Sequence, residues 1–299
     1  MPVLKNVSKH HLLLHFIVFI WGWSPILGRS ISTGTFPLVW YRILFTISLM
    51  GLYLLYIKSP INISLKRFLH LSLIGVIICV HWLCFYGAIK VSNVSVTMAA
   101  FSTGTFFTAI IEPIMYKRRF IWYELLIGLI IISAICIIFS SELKFGPGIL
   151  LGALAAFTAS IFSVSNGLLI QNNKDPISSP VLSFIELSVA LLALSIYLLF
   201  AGELSVSFFK LNINDIIFIG LLSGVCTVYP FIASVSLMKH ISPYTINLTV
   251  NLESVYGIIL AFIIFKENKE LSLTFYVGFS IILIAIFLNA YLKQKFHKG

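Results

Sequence analysis

Three charged residues fall deep inside long apolar runs, well away from the run ends, where charge is expensive: Arg42, Glu186 and Glu253. On insertion scales a charge at the centre of a membrane helix costs about 2.5–3.5 kcal/mol, so such residues face a bundle interior or a wet cavity. Glu253 carries the most specific local pattern. Thr249, Glu253 and Tyr256 share one helix face at i, i+4, i+7 spacing, and Asn247, Asn251 and Ser254 share a neighbouring one. A helix with two polar faces at that depth does not face lipid. It offers hydrogen bonds, a charge and a titratable proton to a ligand, or else hydrogen bonds to other helices.

Arg42 lies about two turns into the second apolar run, and Glu186 sits at a similar depth in the seventh. An ion pair between them would hold two parts of the molecule in one state, and a substrate could compete for it. Alternatively, Arg42 snorkels to the interface beside Trp40 and Tyr41. Glu186 would then exchange protons or hydrogen-bond a neighbouring helix. Trp21 and Trp23, Trp82 and Tyr86, and Tyr229 could build an aromatic wall, although aromatics also anchor helices at the interface. The candidate substrate-binding residues are therefore Trp21, Arg42, Trp82, Tyr86, Glu186, Tyr229, Asn247, Asn251, Glu253 and Tyr256.

The other acids read as structural. Glu112 should pair with the Lys117-Arg118-Arg119 cluster, Glu124 should sit at a helix start, where the dipole favours it, and Glu267 should be interfacial. His81 reads as a hydrogen-bonded core residue. The chain has no Gly-rich phosphate loop, metal-spaced His/Cys set or nucleophile elbow. No catalytic residue, metal ligand or cofactor is expected. Cys79, Cys84, Cys136 and Cys226 lie in apolar runs and read as free thiols.

What must position these residues is a membrane domain. Of 299 residues, 59% are hydrophobic and 10% charged, against roughly 25% charged in a soluble domain. Mean hydropathy is +1.04. Ten apolar runs occur, near 11–28, 36–57, 67–89, 94–116, 121–140, 146–170, 178–200, 215–238, 244–265 and 272–292. Their length suits a hydrocarbon core. They must be helices, because lipid offers no partner to an open backbone. The fold class is all-α, with ten transmembrane helices.

The net charge of +10 does not point to nucleic acid. Thirteen of the 20 Lys and Arg lie in loops on the N-terminal side, six lie in the opposite loops, and Arg42 is inside a span. That excess places both termini in the cytoplasm and the protein in the cell's inner (plasma) membrane. The first run has no cleavage site after it and reads as a retained span.

A shift of 150 positions brings Ser242 onto Ser92, Tyr256 onto Phe106 and Gly278 onto Gly128. The chain is thus a duplicated unit: 1–140, a junction at 141–145, and 146–299. Each unit crosses five times, so the second enters from the opposite side. Such inverted repeats recur in secondary transporters with a site near the midplane. Small residues at Gly148, Gly152, Ala156, Ser160, Ser163 and Gly167, and at Gly220 and Gly224, suit close helix packing. Pro25, Pro113 and Pro230 should break their helices, freeing the carbonyls of Trp21, Ala109 and Cys226 as kinks or as ligand-facing groups.

Taken together, several motifs resemble the EamA-type, ten-helix form of the drug/metabolite transporter superfamily. They are Trp21-Gly22-Trp23, Pro37 through Arg42, Gly128, Asn251 through Gly257, Phe265-Lys266-Glu267 and Gly278. Ser254 stands where a common variety has proline, so a kink there should be absent or softer. The first half has Lys117 where the second has Glu267. The resemblance implies a multipass carrier, commonly an exporter of amino acids or other small metabolites, with its cavity between the repeats.

The expected function is alternating-access transport of a small metabolite, with the bilayer and a small-molecule substrate as partners and protons as a coupling ion. Oligomeric state is open. A membrane-embedded enzyme acting on a lipid or isoprenoid is the alternative, disfavoured by scattered acids and basic rims. A structural or sensory subunit is a third reading.

Overall fold

The computed structural model describes residues 9–172 and 176–296, apart from the side chains at 243, 247, 290, 293, 294 and 296. Span one is α1 (Lys9–Trp21) and α2 (Ser24–Ser30), and spans two and three are α3 (Thr35–Tyr56) and α4 (Leu65–Val91). Span four is α5 (Val94–Phe101) and α6 (Gly104–Tyr116), and span five is α7 (Trp122–Ser141). Spans six and seven are α8 (Gly146–Ile170) and α9 (Ser179–Phe200). Span eight is α10 (Ile213–Ser223), a π-helical stretch (Gly224–Val228) and α11 (Tyr229–Leu237). Spans nine and ten are α12 (Pro243–Ile264) and α13 (Leu273–Phe296). Among the described residues nine segments are long and apolar enough to cross a membrane, and span ten adds the apolar stretch Leu273–Asn289.

The outer faces are apolar: Leu52, Leu192 and Phe287 are all more than half exposed. Only lipid makes such a surface stable. Inside, span six packs along span three and against both pieces of span four. Its small residues make this possible. A Cβ on Gly152 would lie 2.9 Å from the Ala100 Cβ and 3.1 Å from the Thr97 carbonyl oxygen. The parallel expectation for span eight fails. Nothing lies within 4 Å of a Cβ built on Gly220, so the spacing there serves no close contact.

Two of the helix breaks have visible causes. Pro25 opens α2, just after the turn at Gly22-Trp23. Pro230 follows the π-helical stretch, and the Cys226 carbonyl it sets free accepts the Trp21 indole N–H at 3.1 Å. That carbonyl is a satisfied kink rather than a ligand-facing group. A third break, at Ser102-Thr103, carries no proline. The Thr103 hydroxyl donates to the Ala100 carbonyl at 2.8 Å, and Ser160 of span six donates to the Gly104 carbonyl at 3.0 Å. Hydroxyls thus take over backbone partners, a recognised cause of helix bending. Span nine is continuous, as Ser254 in place of proline suggests.

Spans four and nine run antiparallel, tied at both ends by carboxylates. The Glu267 carboxylate, just past span nine, accepts from the Val94 N–H at 3.0 Å, the Ser95 N–H at 2.8 Å and the Ser95 hydroxyl at 2.6 Å. At the other end Glu112 of span four accepts from the Tyr244 N–H at 2.5 Å and from Arg118 at 3.1 Å. Glu112 pairs with the basic cluster as expected. Glu267, in the turn after span nine, is buried within the protein, because the start of span four needs its oxygens. Glu142 repeats the device, accepting from the Ser272 N–H at 2.8 Å before span ten.

A Cβ on Gly128 would come within 2.8 Å of the Phe106 Cα, a backbone atom that cannot move alone. Gly128→Ala should therefore cost about 1–3 kcal/mol and lower the unfolding temperature in a detergent melting scan. Gly220→Ala should leave it unchanged. Equal behaviour of the two variants would contradict this packing.

Candidate functional site

Between the halves lies a cavity of about 100 Å³. Both repeats build its wall: Trp21, Arg42, Trp82 and Tyr86 from the first, Phe162, Thr227 and Glu253 from the second. Its centre is polar and its flanks are aromatic.

Arg42 is held with care. Its Nε and Nη2 donate to the Thr227 hydroxyl at 3.1 and 2.9 Å, and its Nη1 donates to the Tyr86 hydroxyl at 2.7 Å. Its guanidinium lies 4.0 Å over the Trp82 ring centre, a favourable cation–π contact. Thr227 can accept twice because its own proton goes to the Leu222 carbonyl, five residues back, at 2.7 Å. That i−5 reach comes with the π-helical turn. Ser223 donates to the Arg42 carbonyl at 3.1 Å. A guanidinium has five N–H donors. Three are used, so two remain for a ligand.

Glu253 faces the same cavity from span nine and is 7% exposed. It makes no hydrogen bond or ion pair to another described residue. Arg118, far from this cavity, does pair with acids: with Glu112 at 3.1 Å and Glu124 at 3.7 Å. His81 also lines the wall, its Nδ1 hydrogen-bonded to the Ala155 carbonyl at 2.8 Å, a core role as expected.

Five of the ten sequence candidates thus meet here: Trp21, Arg42, Trp82, Tyr86 and Glu253. Four lie elsewhere. Asn251 donates to Thr105 Oγ1, tying span nine to span four. Tyr256 packs edge-on against Phe19 with ring centres 5.5 Å apart. Tyr229 is 53% exposed and lines a groove on the outer surface with Lys9, His10 and His240. Two residues apart on a helix means opposite faces, so with Thr227 turned to Arg42, Tyr229 faces outward. Glu186 is fully buried away from the cavity and is bonded to Asn166 at 3.2 Å. The expected Arg42–Glu186 pair does not form, since Thr227 and Tyr86 hold Arg42. The tenth candidate, the Asn247 side chain, lies outside the described residues. Trp23 is 38% exposed and is absent from the cavity wall.

Residues not singled out complete the site: Thr227, Phe101, Phe231 and Ser234. Ser163, assigned above to packing, lines the wall too. Outside the cavity wall, hydrogen bonds tie the end of span one and the turn after it to spans eight and three. Ser32 donates through its N–H and its hydroxyl to Asp215, both at 2.7 Å, and Arg29 donates to the Ser92 carbonyl at 3.3 Å.

The model of the EamA-like transporter family matches residues 8–140 and 149–291, one segment in each half of the chain. A solved crystal structure of another protein aligns with a TM-score of 0.70 at 13% identity, covering 97% of this chain and 100% of that one. At that identity it speaks for the fold alone. No curated protein matches significantly.

Thr227 is the acceptor on which two Arg42 bonds converge. Thr227→Val keeps the shape and removes the oxygen, and hydrogen bonds to a charged group are worth about 1.5–3 kcal/mol. The variant should unfold at a clearly lower temperature, while Thr227→Ser stays near the parent. A Thr227→Val protein as stable as the parent would show that Arg42 is held by other means.

Proposed function

The chain belongs to the EamA-like transporter family, and from that premise we propose that it carries a small zwitterionic metabolite across the membrane. The favoured substrate is an α-amino acid with an apolar side chain. One observation carries the reading. Arg42 brings a guanidinium and Glu253 a carboxyl group to one cavity from different halves, and the two are not bonded to each other. A carboxylate would take the two spare N–H donors of Arg42, one on Nη1 and one on Nη2, as charge-assisted hydrogen bonds. An ammonium would sit against Glu253. Phe85, Phe101, Phe162 and Phe231 would receive the side chain.

Transport would proceed by alternating access. The two five-helix units, of opposite membrane orientation, would rock about the Arg42–Glu253 level. The excess of Lys and Arg on the N-terminal side supports cytoplasmic termini in the inner (plasma) membrane, and export is the expected direction.

Reconstituted protein should exchange apolar amino acids across liposomes. Amines without the carboxylate and acids without the ammonium should fail to compete. Losing one charge-assisted contact, about 1.5–3 kcal/mol, corresponds to roughly 10- to 100-fold weaker binding. Arg42→Ala and Glu253→Gln should each fall in that range. Equal competition by the singly charged analogues would overturn the proposal.

A further inference from the structure

Glu186 belongs to no part of the site above, yet it is the most deeply buried acid in the membrane region. It is 0% exposed. Asn166 Nδ2 donates to its Oε2 at 3.2 Å. The other two oxygens of the pair, Glu186 Oε1 and Asn166 Oδ1, have no partner. Both are acceptors, and a buried unpaired acceptor is costly. One hydrogen would settle both at once. A carboxylic acid and a primary amide form a closed pair, with the amide N–H donating to one carboxyl oxygen and the carboxyl O–H donating to the amide oxygen.

We propose that Glu186 is a proton-binding site separate from the substrate cavity, its proton shared with the Asn166 amide and reached from the cavity by way of Ser163. The surroundings offer nothing to balance a carboxylate. Span six, Gly146–Ile170, contains no ionisable side chain. From span two, Arg42 is committed to Thr227 and Tyr86, and Tyr41 stacks on Phe208. Span three brings Gly75, whose missing side chain lets its backbone approach the Glu186 carbonyl. One turn along it lies the Cys79 thiol, and beyond that His81, bonded to Ala155. On α11 the phenol of Tyr229 is outside. An ion without a counter-ion in such a place is unstable, and the neutral acid is the form that fits.

Two hydroxyls stand between the cavity and the pair. Ser163, one helical turn before Asn166, is on the cavity wall, and Ser183 is three residues before Glu186 on span seven. Neither is hydrogen-bonded to the pair, so a relay through them needs a water between hydroxyl and acid, each hydroxyl donating and accepting. A proton arriving at Glu186 neutralises it and completes the pair with Asn166. A proton leaving restores a charge that the packed helices cannot hold, which gives proton movement a handle on their arrangement. That consequence rests on the transport reading; the site itself does not.

Infrared difference spectroscopy of the full chain in lipid nanodiscs tests the site without needing a substrate. The expected result at neutral pH is the carbonyl stretch of a protonated carboxyl group. The component lost in Glu186→Gln should persist in Glu253→Gln and move in Asn166→Leu, which cannot accept the bond. A parent spectrum with no component that Glu186→Gln removes, or one that Asn166→Leu leaves in place, would overturn the proposal. If Glu186→Gln does not fold, the parent and Asn166→Leu spectra still decide. In liposomes, accumulation driven by a pH gradient should drop in Glu186→Gln to its gradient-free level. An undiminished gradient response would remove the coupling role. Absence of flux in the parent would count against transport while the infrared result stood.

Discussion

A helix that starts inside a bilayer leaves its first N–H groups without water to bond, and something else must accept them. Here acids from other spans do. Glu267 takes two backbone N–H groups and a hydroxyl at the start of span four, and Glu112 takes one at the start of span nine. Each of the two helices thus carries, at or just past its end, the carboxylate that caps the other. A reciprocal tie fixes two antiparallel helices at both ends and leaves their middles free. Those middles supply Phe101, Val250 and Glu253 to the cavity. The wall of the site depends on contacts made at the two ends of the span four–span nine pair.

The opposite wall depends on an irregularity. Span eight passes through a π-helical turn before Pro230. The turn sends one carbonyl, that of Cys226, to the Trp21 indole and one hydroxyl, that of Thr227, to Arg42. The break therefore joins spans one, two and eight while orienting the cavity's guanidinium from span two. A regular helix would bond its own carbonyls and have none to offer. Helix disruption at membrane depth is tolerable because the freed groups find protein partners.

Much of this was legible in the sequence. Span number, the duplicated unit and the continuity of span nine follow from apolar run length, the 150-residue offset and Ser254. Arg42 and Glu253 stood out because charge in hydrocarbon demands a reason. Trp21, Trp82 and Tyr86 also reach the cavity. Which face of a helix meets the cavity depends on rotation about its axis, which spacing does not give. Thr227 and Tyr229, two residues apart, lie on opposite faces, and it is Thr227 that is turned to Arg42. Asn251 and Glu253 also lie on different faces, and it is Glu253 that meets the cavity while Asn251 binds Thr105. The Arg42–Glu186 pair was plausible by depth alone, but depth does not say which side of a span a residue occupies. The break at Thr103 had no proline to announce it; the hydroxyls that take carbonyls beside it come from Thr103 itself and from Ser160, on a helix distant in sequence. Gly220 shows the converse, a packing motif with nothing packed against it.

The account requires that a water-accessible chamber lie between the halves while the outer faces of the same helices meet lipid. Span eight offers both within ten residues: Ser234 lines the cavity, and Val225 is 54% exposed on the outer surface. In a protein with its own four cysteines replaced, Ser234→Cys should react with a small charged thiol reagent, and bound substrate should slow it. Val225→Cys should react only with a lipid-soluble reagent. Labelling of Val225→Cys but not Ser234→Cys by the charged reagent would contradict the chamber and everything built on it.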